Sequence, residues 1–328
     1  MDYSKLPKIE LHLHLDCSLS YEVVKLIQPD ISYETYRDSF VAPPKCTDLA
    51  DYLTRAVKGF ELMQTQSALR LVTLDLCRQL QRDHVIYAEM RFAPLQHLQQ
   101  GLTPTEVVAT VNAAVEEGMA ETGISAGIIL CTLRHYSEAQ SMETVQLVEQ
   151  FKGTQVLGFD IAADEAGFPI DNHIRAFAYA KEKGLHVTAH AGEAKGADSV
   201  WETLKYFQPS RIGHGVRSVE DPALLAFLKK EGIHLEVCPT SNVQTNVTAT
   251  IASHPVDEIY RSGVSMSINT DARTISDVTL THEYQTLESV FEWQKAHFLK
   301  CNLEAIEHAF TSAENKAALR SKILEAYR

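Results

Sequence analysis

Eight short runs rich in apolar or β-branched residues punctuate this chain, at 9–15, 85–92, 126–133, 156–161, 186–189, 211–213, 234–237 and 265–268. Helix-length amphipathic segments separate most of them. Strands that alternate with helices pair in parallel, because a long crossover cannot close a hairpin. Eight such units predict an α/β fold, a closed (β/α)8 barrel of the TIM type. No Ser/Gly/Pro-rich linker, low-complexity tract or short repeat divides the 328 residues, a length that one barrel can use entirely. Residues 1–328 are therefore expected to form a single domain. Thr103-Pro104-Thr105-Glu106 reads as a capping box with proline at the first helical position, opening a helix toward Glu121. Thr311-Ser312-Ala313-Glu314 reads as a second box, opening the last helix. Leu69, Val72, Leu76 and Leu80 recur at helical spacing within 67–83. The long stretch 31–65, where Leu49, Leu53 and Val57 are helically spaced, is expected to lay extra helices over the C-terminal mouth of the barrel.

A barrel of this kind gathers its chemistry at the C-terminal ends of its strands, and imidazoles and carboxylates accumulate there. The first run, KIELHLHLDC, carries His12 and His14. Side chains two apart on a strand share a face, so both rings point the same way. The fourth run leads into Asp160-Ile-Ala-Ala-Asp164-Glu165, and the fifth ends in His190-Ala191-Gly192-Glu193. The sixth carries His214, the seventh runs into Cys238-Pro239-Thr240-Ser241-Asn242, and the eighth ends in Asn269-Thr270-Asp271. Each residue alone has a plainer explanation. An HxH pair can be surface or packing histidine. His214 can be a hydrogen-bonded core residue. Glu193 can favour a helix start, Asp271 can be an N-cap, and Cys238 can be a small buried hydrophobe. Together at strand ends, His12, His14, His190 and Asp271 can hold one metal ion, and neutral imidazoles with a carboxylate suit Zn²⁺. Zinc with an open position lowers the pKa of a bound water to roughly 7.

Composition narrows the partners. The formal charge of −13 argues against a nucleic-acid or anionic-membrane surface. No apolar run is long enough for a transmembrane helix. The start, MDYSKLPKIE, lacks the apolar core of a signal peptide. The six cysteines lie far apart without a CxxC pair, so they read as reduced thiols of a cytoplasmic protein.

The motifs PKIELHLHLD, MRFAP, DIAADE, TAHAGE, RIGHGV, EVCPTSN and SINTDA follow one another along nearly the whole chain. In that order the chain resembles the adenosine deaminase family of the amidohydrolase superfamily. The resemblance implies a barrel with one zinc per chain that hydrolytically deaminates adenosine or 2′-deoxyadenosine, a small purine nucleoside. It implies His12, His14, His190 and Asp271 as zinc ligands and Glu193 as the acid that protonates purine N1. It implies His214 as the group that orients and deprotonates the water, and Asp16 as a ribose contact. The backbone N–H of Ala163 is implied to meet purine N3, at a place where the family carries glycine. The fourth run region has no lysine of the kind that bridges two metals in binuclear relatives. Two further departures bear on substrate. Cys17 stands where the family usually has glycine, and Ala272 stands where a second aspartate usually bonds purine N7. Either Arg273, another polar side chain or a water covers N7, or N7 is unread. The nearest alternatives are deamination of another 6-aminopurine, as nucleoside, nucleotide or free base, and a barrel that binds such a ligand without turning it over. Glu193 and His214 beside all four proposed ligands argue against the last, since binding alone needs no water-activating set.

Overall fold

The computed structural model describes residues 2–328. Its strands are β1 (Lys8–His14), β2 (Val85–Phe92), β3 (Ser125–Leu133), β4 (Val156–Ala162), β5 (His186–Ala191), β6 (Arg211–His214), β7 (His234–Val237) and β8 (Met266–Ile268). They form one eight-stranded parallel sheet in sequential order. The eight expected runs therefore all become strands, with ends shifted by a residue or two.

The seam between the short β8 and β1 is made beyond the end of β8. The side-chain oxygen of Asn269 accepts the backbone N–H groups of Leu11 and His12, at 2.8 and 3.1 Å. The backbone N–H of His14 donates to the carbonyl of Asp271 at 2.7 Å, and the N–H of Asp271 to the carbonyl of His12 at 3.0 Å. The same bonds that close the barrel thus fix Asp271 beside both histidines of β1.

Helix Pro104–Thr122 begins with the expected capping box at Thr103, and helix Gln66–Arg82 carries the leucine stripe. The last helix, Ala313–Ala326, starts differently from the expectation: Ser312, not Thr311, is its cap, accepting from the N–H of Asn315. Two adjacent hydroxyl residues offer competing caps, and a one-residue choice between them is set by the approach of the chain. Helices Tyr33–Phe40 and Leu49–Leu62 occupy the stretch after β1, and the second lines the pocket at the barrel mouth through Leu53, Val57 and Phe60.

Along β1 the apolar Ile9, Leu11 and Leu13 join the hydrophobic core, while Glu10, His12 and His14 take the other face. The lower barrel holds charges. Arg91 donates to Asp160 at 2.7 Å and to Glu236 at 2.8 Å. Arg211 reaches Glu89 at 2.6 Å and Glu236 at 2.7 Å. All five side chains are fully buried. Buried charges persist where every one is paired, since removing one partner strands the other in low dielectric. This network is the floor on which the site stands.

Candidate active site

Above that floor the chain assembles imidazoles around one carboxylate. Oδ1 of Asp271 lies 3.3 Å from Nε2 of His12 and 3.4 Å from Nε2 of His14. Nε2 of His14 lies 3.2 Å from Nε2 of His190. The four residues expected as ligands do converge. A mutual grouping also forms with His214: His12, His190, His214 and Asp271 each bring one donor atom within 4.8 Å of the others. Gly213 makes the convergence sterically possible. A Cβ there would meet Cε1 of His12 at 2.8 Å.

The floor carboxylates set the rings. Nδ1 of His12 is 2.8 Å from Glu236 and Nδ1 of His190 is 3.0 Å from Asp160. Each Nδ1–H donates outward, leaving Nε2 as the lone-pair nitrogen facing the cluster, as metal-ligating histidines usually do. Nε2 of His12 is buried and makes no hydrogen bond. Burial pushes Asp160 up, but His190 and Arg91 outweigh it and hold the carboxyl below its usual range. Glu236 is likewise held well below by Arg91 and Arg211 against the effect of burial. Burial drives His14 well below and His190 below the ordinary histidine value, which keeps them in the neutral form that binds metal. His12 moves the other way. Burial and Arg91 lower it, yet Asp271 and Glu236 together leave it raised. A cation at Nε2 competes directly with that proton. Oriented neutral nitrogens, one carboxylate and a buried nitrogen without a partner fit a zinc-like ion.

Glu193 and His214 flank the cluster, with Nε2 of His214 at 3.6 Å from Oε2 of Glu193. Burial, then the carboxylates of Asp271 and Glu165, raise Glu193 well above the normal glutamate value. Its carboxyl is thereby biased toward the protonated form. The loop that bears it is held by Glu165, whose carboxylate accepts four consecutive backbone N–H groups, those of Gly192, Glu193, Ala194 and Lys195, at 2.7–3.0 Å. It also accepts the hydroxyl of Ser199 at 2.5 Å. On the opposite side the short helix Pro239–Gln244 and its next residue touch three site groups. Ser241 donates to Asp271 at 2.6 Å, Asn242 to Nδ1 of His214 at 3.0 Å, and Thr245 to Glu193 at 3.4 Å. Arg134, which the sequence left without a role, donates to the backbone carbonyl of His190 at 2.9 Å.

The cluster opens to an apolar cavity of about 490 Å³ lined by His14, Asp16, Cys17, Leu53, Phe60 and Ala163, among others. Asp16 is buried at its edge, which raises its carboxyl to about 6. Cys17 does lie against it, with Sγ 3.6 Å from Oδ1. Ala272 is buried in an apolar patch with Leu49, Tyr52 and Ile275, and faces the inner crevice with His14, Glu193 and His214. Arg273 cannot reach back to cover that wall: its guanidinium is spent on Glu10 at 3.0 Å and Asp83 at 2.5 Å.

Backbone strain gathers at the strand ends. Ala163, His214 and Asp271 have φ of 78°, 60° and 64°, a region that costs a residue with a side chain about 1–2 kcal/mol. At His214 and Asp271 the strain aims a functional group. At Ala163 the side chain is only a methyl. Ala163→Gly is expected to raise the unfolding free energy by about 0.5–1 kcal/mol, the strain relief less the extra freedom of glycine in the unfolded chain. Urea denaturation of the two proteins checks this. An unchanged or lower midpoint would show that packing of the methyl outweighs its strain.

Known proteins match this molecule along nearly its whole length. The family model described as adenosine deaminase matches residues 7–326. An adenosine deaminase of Enterococcus faecalis is 36% identical over 98% of this chain and 97% of its own. Among solved structures, the adenine deaminase of Arthrobacter aurescens superposes with a TM-score of 0.90 at 26% identity, covering 98% of both chains. An amidohydrolase of Burkholderia ambifaria, solved with bound zinc, superposes with a TM-score of 0.91 over 99% of this chain and 91% of that one. At 22% identity that last likeness is one of fold.

Proposed function

The chain belongs to the adenosine deaminase family, and from that premise we propose that it hydrolyses adenosine and 2′-deoxyadenosine to the corresponding inosines and ammonia. The observation that carries this reading is the meeting of a buried carboxyl, Glu193, whose pKa is raised, with His214 over a His/Asp cluster at the end of an apolar cavity. Residues 1–328 act as one metal-dependent barrel.

His12, His14, His190 and Asp271 would hold one zinc ion per chain, which when bound supplies an activated water. An aromatic C–NH₂ is a poor electrophile. Glu193 delivers its proton to ring N1, which makes C6 open to attack and turns an unreactive amidine into a cationic one. His214 orients the water over C6. Addition makes C6 tetrahedral as the water gives one proton to the carboxylate of Asp271. The amino group takes that proton and leaves as ammonia, and the remaining hydroxyl proton returns to Glu193 as the C6 carbonyl forms. Asp16, at the pocket edge beside Cys17, accepts from ribose hydroxyls. Ala163 lines the cavity, and its N–H donates to purine N3. The apolar wall at Ala272 offers purine N7 no hydrogen bond. A neutral bond of that kind is worth about 0.5–1.5 kcal/mol net, small beside the catalytic contributions, so the reaction survives its loss. The six cysteines, all free, support a reducing compartment, the cytoplasm.

Charge selects among 6-aminopurines. The 490 Å³ cavity is lined by Asp16 and Asp164 and by no lysine or arginine. The wider cleft beyond Glu193, about 1020 Å³, sets Arg217 alone against Asp48, Asp164, Glu220, Asp257 and Glu258. A 5′-phosphate would meet like charge. Ammonia release from adenosine, 2′-deoxyadenosine, AMP and adenine by zinc-loaded protein tests both parts. Adenosine is expected to exceed AMP in kcat/KM by at least about tenfold, the effect of about 1.4 kcal/mol. Turnover of none of the four would remove the deaminase reading, and a preference for AMP would remove the charge argument.

A further inference from the structure

A chain of hydrogen bonds runs from the protein backbone to the ring of His214. The N–H of Val256 donates to Nδ1 of His254 at 3.0 Å. An imidazole nitrogen that accepts cannot carry a proton, so the proton of a neutral His254 sits on Nε2. His254 is fully buried, and burial lowers its pKa to about 3, so the ring is neutral. Its Nε2–H therefore donates to Oδ1 of Asn242, 3.1 Å away. That bond fixes which way the Asn242 amide faces. Its NH₂ end is turned to Nδ1 of His214, at 3.0 Å. A flipped amide would set NH₂ against N–H at His254. Nδ1 of His214 is thus an acceptor, and a neutral ring carries its proton on Nε2. That nitrogen is the one beside Glu193.

We propose that Asn242 and His254 are positioning residues that lock His214 in its Nε2–H form, so that it presents a hydrogen-bond donor, not a proton acceptor, to the oxygen that attacks C6. The proposal rests on the deaminase reading for its consequence, but the tautomer itself does not depend on it. A resemblance to the family implies that His214 takes the proton of the water. In the locked tautomer its one lone-pair nitrogen is already occupied by Asn242. The ring serves instead as a fixed dipole that stabilises negative charge on oxygen, a role whose removal typically costs about 10²- to 10³-fold in kcat. The lock also explains why a buried histidine 40 residues from His214 in sequence stands behind an asparagine. Each bond in the relay has a single direction, dictated by a backbone N–H that cannot reverse.

Nitrogen NMR of zinc-loaded protein labelled with ¹⁵N-histidine reads the tautomer directly. The His214 resonances are those that vanish in His214→Asn. The expected spectrum has Nε2 protonated and Nδ1 unprotonated in the wild type. Asn242→Asp replaces the donor with a carboxylate acceptor, which draws the proton to Nδ1. In that variant the tautomer is expected to reverse. Its kcat should fall about 10²- to 10³-fold, with KM within about threefold and zinc content unchanged. A wild-type spectrum with the proton on Nδ1 and a bare Nε2 overturns the proposal whatever the variant does. So does a reversed tautomer in Asn242→Asp with wild-type kcat. A protein that turns over no aminopurine yet shows the Nε2–H spectrum would defeat the deaminase reading and leave the lock standing.

Discussion

His190→Ala is expected to lose metal and activity together, from about one zinc-like ion per chain to almost none after gel filtration. The residue joins three parts of the site. Its Nε2 lies 3.2 Å from that of His14, its Nδ1 is tied to Asp160, and its carbonyl accepts from Arg134. Removing an outer partner of a ligating histidine typically costs about 10- to 100-fold in metal affinity, and removing the ligand costs more. His12, His14 and Asp271 remain in the variant, so a weak site survives and excess zinc should restore a small part of the activity. Asp160 keeps its bond to Arg91, so the floor of charges stays paired and the fold should hold. Elemental analysis, ammonia release and thermal unfolding on one preparation separate these effects. Full metal content with full turnover would exclude His190 as a ligand. Loss of activity with metal retained would exclude the proposed coupling between them.

The pairing of His12 and His14 on one face was legible in the sequence because a strand repeats every two residues. KIELHLH declares at once that it is a strand and that its histidines share a face. The helix start at Thr103 was legible from its capping box, and the last helix start was off by one residue because Thr311 and Ser312 compete. The supporting partners of the site were not legible, because they are neighbours in space only. Glu236 lies 224 residues from His12, and Asp160 lies 30 from His190. A faint signal existed. Arg91 in EMRF and Glu236 in HLEV are charged residues inside otherwise buried strands, and such residues must pair inside the barrel. The left-handed backbone at Ala163 was hidden for another reason. Alanine, unlike glycine, does not advertise that conformation. The closeness of His214 to the ligand cluster depends on ring orientation, which no spacing along RIGHGV specifies. Nor does CPTSN reveal that one short helix reaches Asp271, His214 and Glu193 at once.

Glu193→Gln should separate chemistry from binding. Glutamine preserves the size of the side chain and its acceptor oxygen, so the bond from Thr245 and the loop held by Glu165 can persist. It lacks a proton acidic enough to transfer to N1. Turnover is expected to fall by about 10²- to 10⁴-fold, the usual worth of a general acid, with metal content and KM near their wild-type values. The pH profile supplies an independent check. Burial, Asp271 and Glu165 all raise the Glu193 pKa, and a bound cation offsets part of that rise. The proton needed for catalysis is present below that raised value and is lost as pH climbs through it. Wild-type kcat should therefore decline on the alkaline side, and the residual activity of the glutamine variant should not show that limb. His214 cannot stand in for the lost acid: in the Nε2–H form it can donate a hydrogen bond, but handing its proton away would leave an imidazolate. Near-wild-type turnover in Glu193→Gln, with the alkaline limb intact, would take Glu193 out of the mechanism and assign the titrating acid to another group in the pocket, with Asp16 at its edge the first to test.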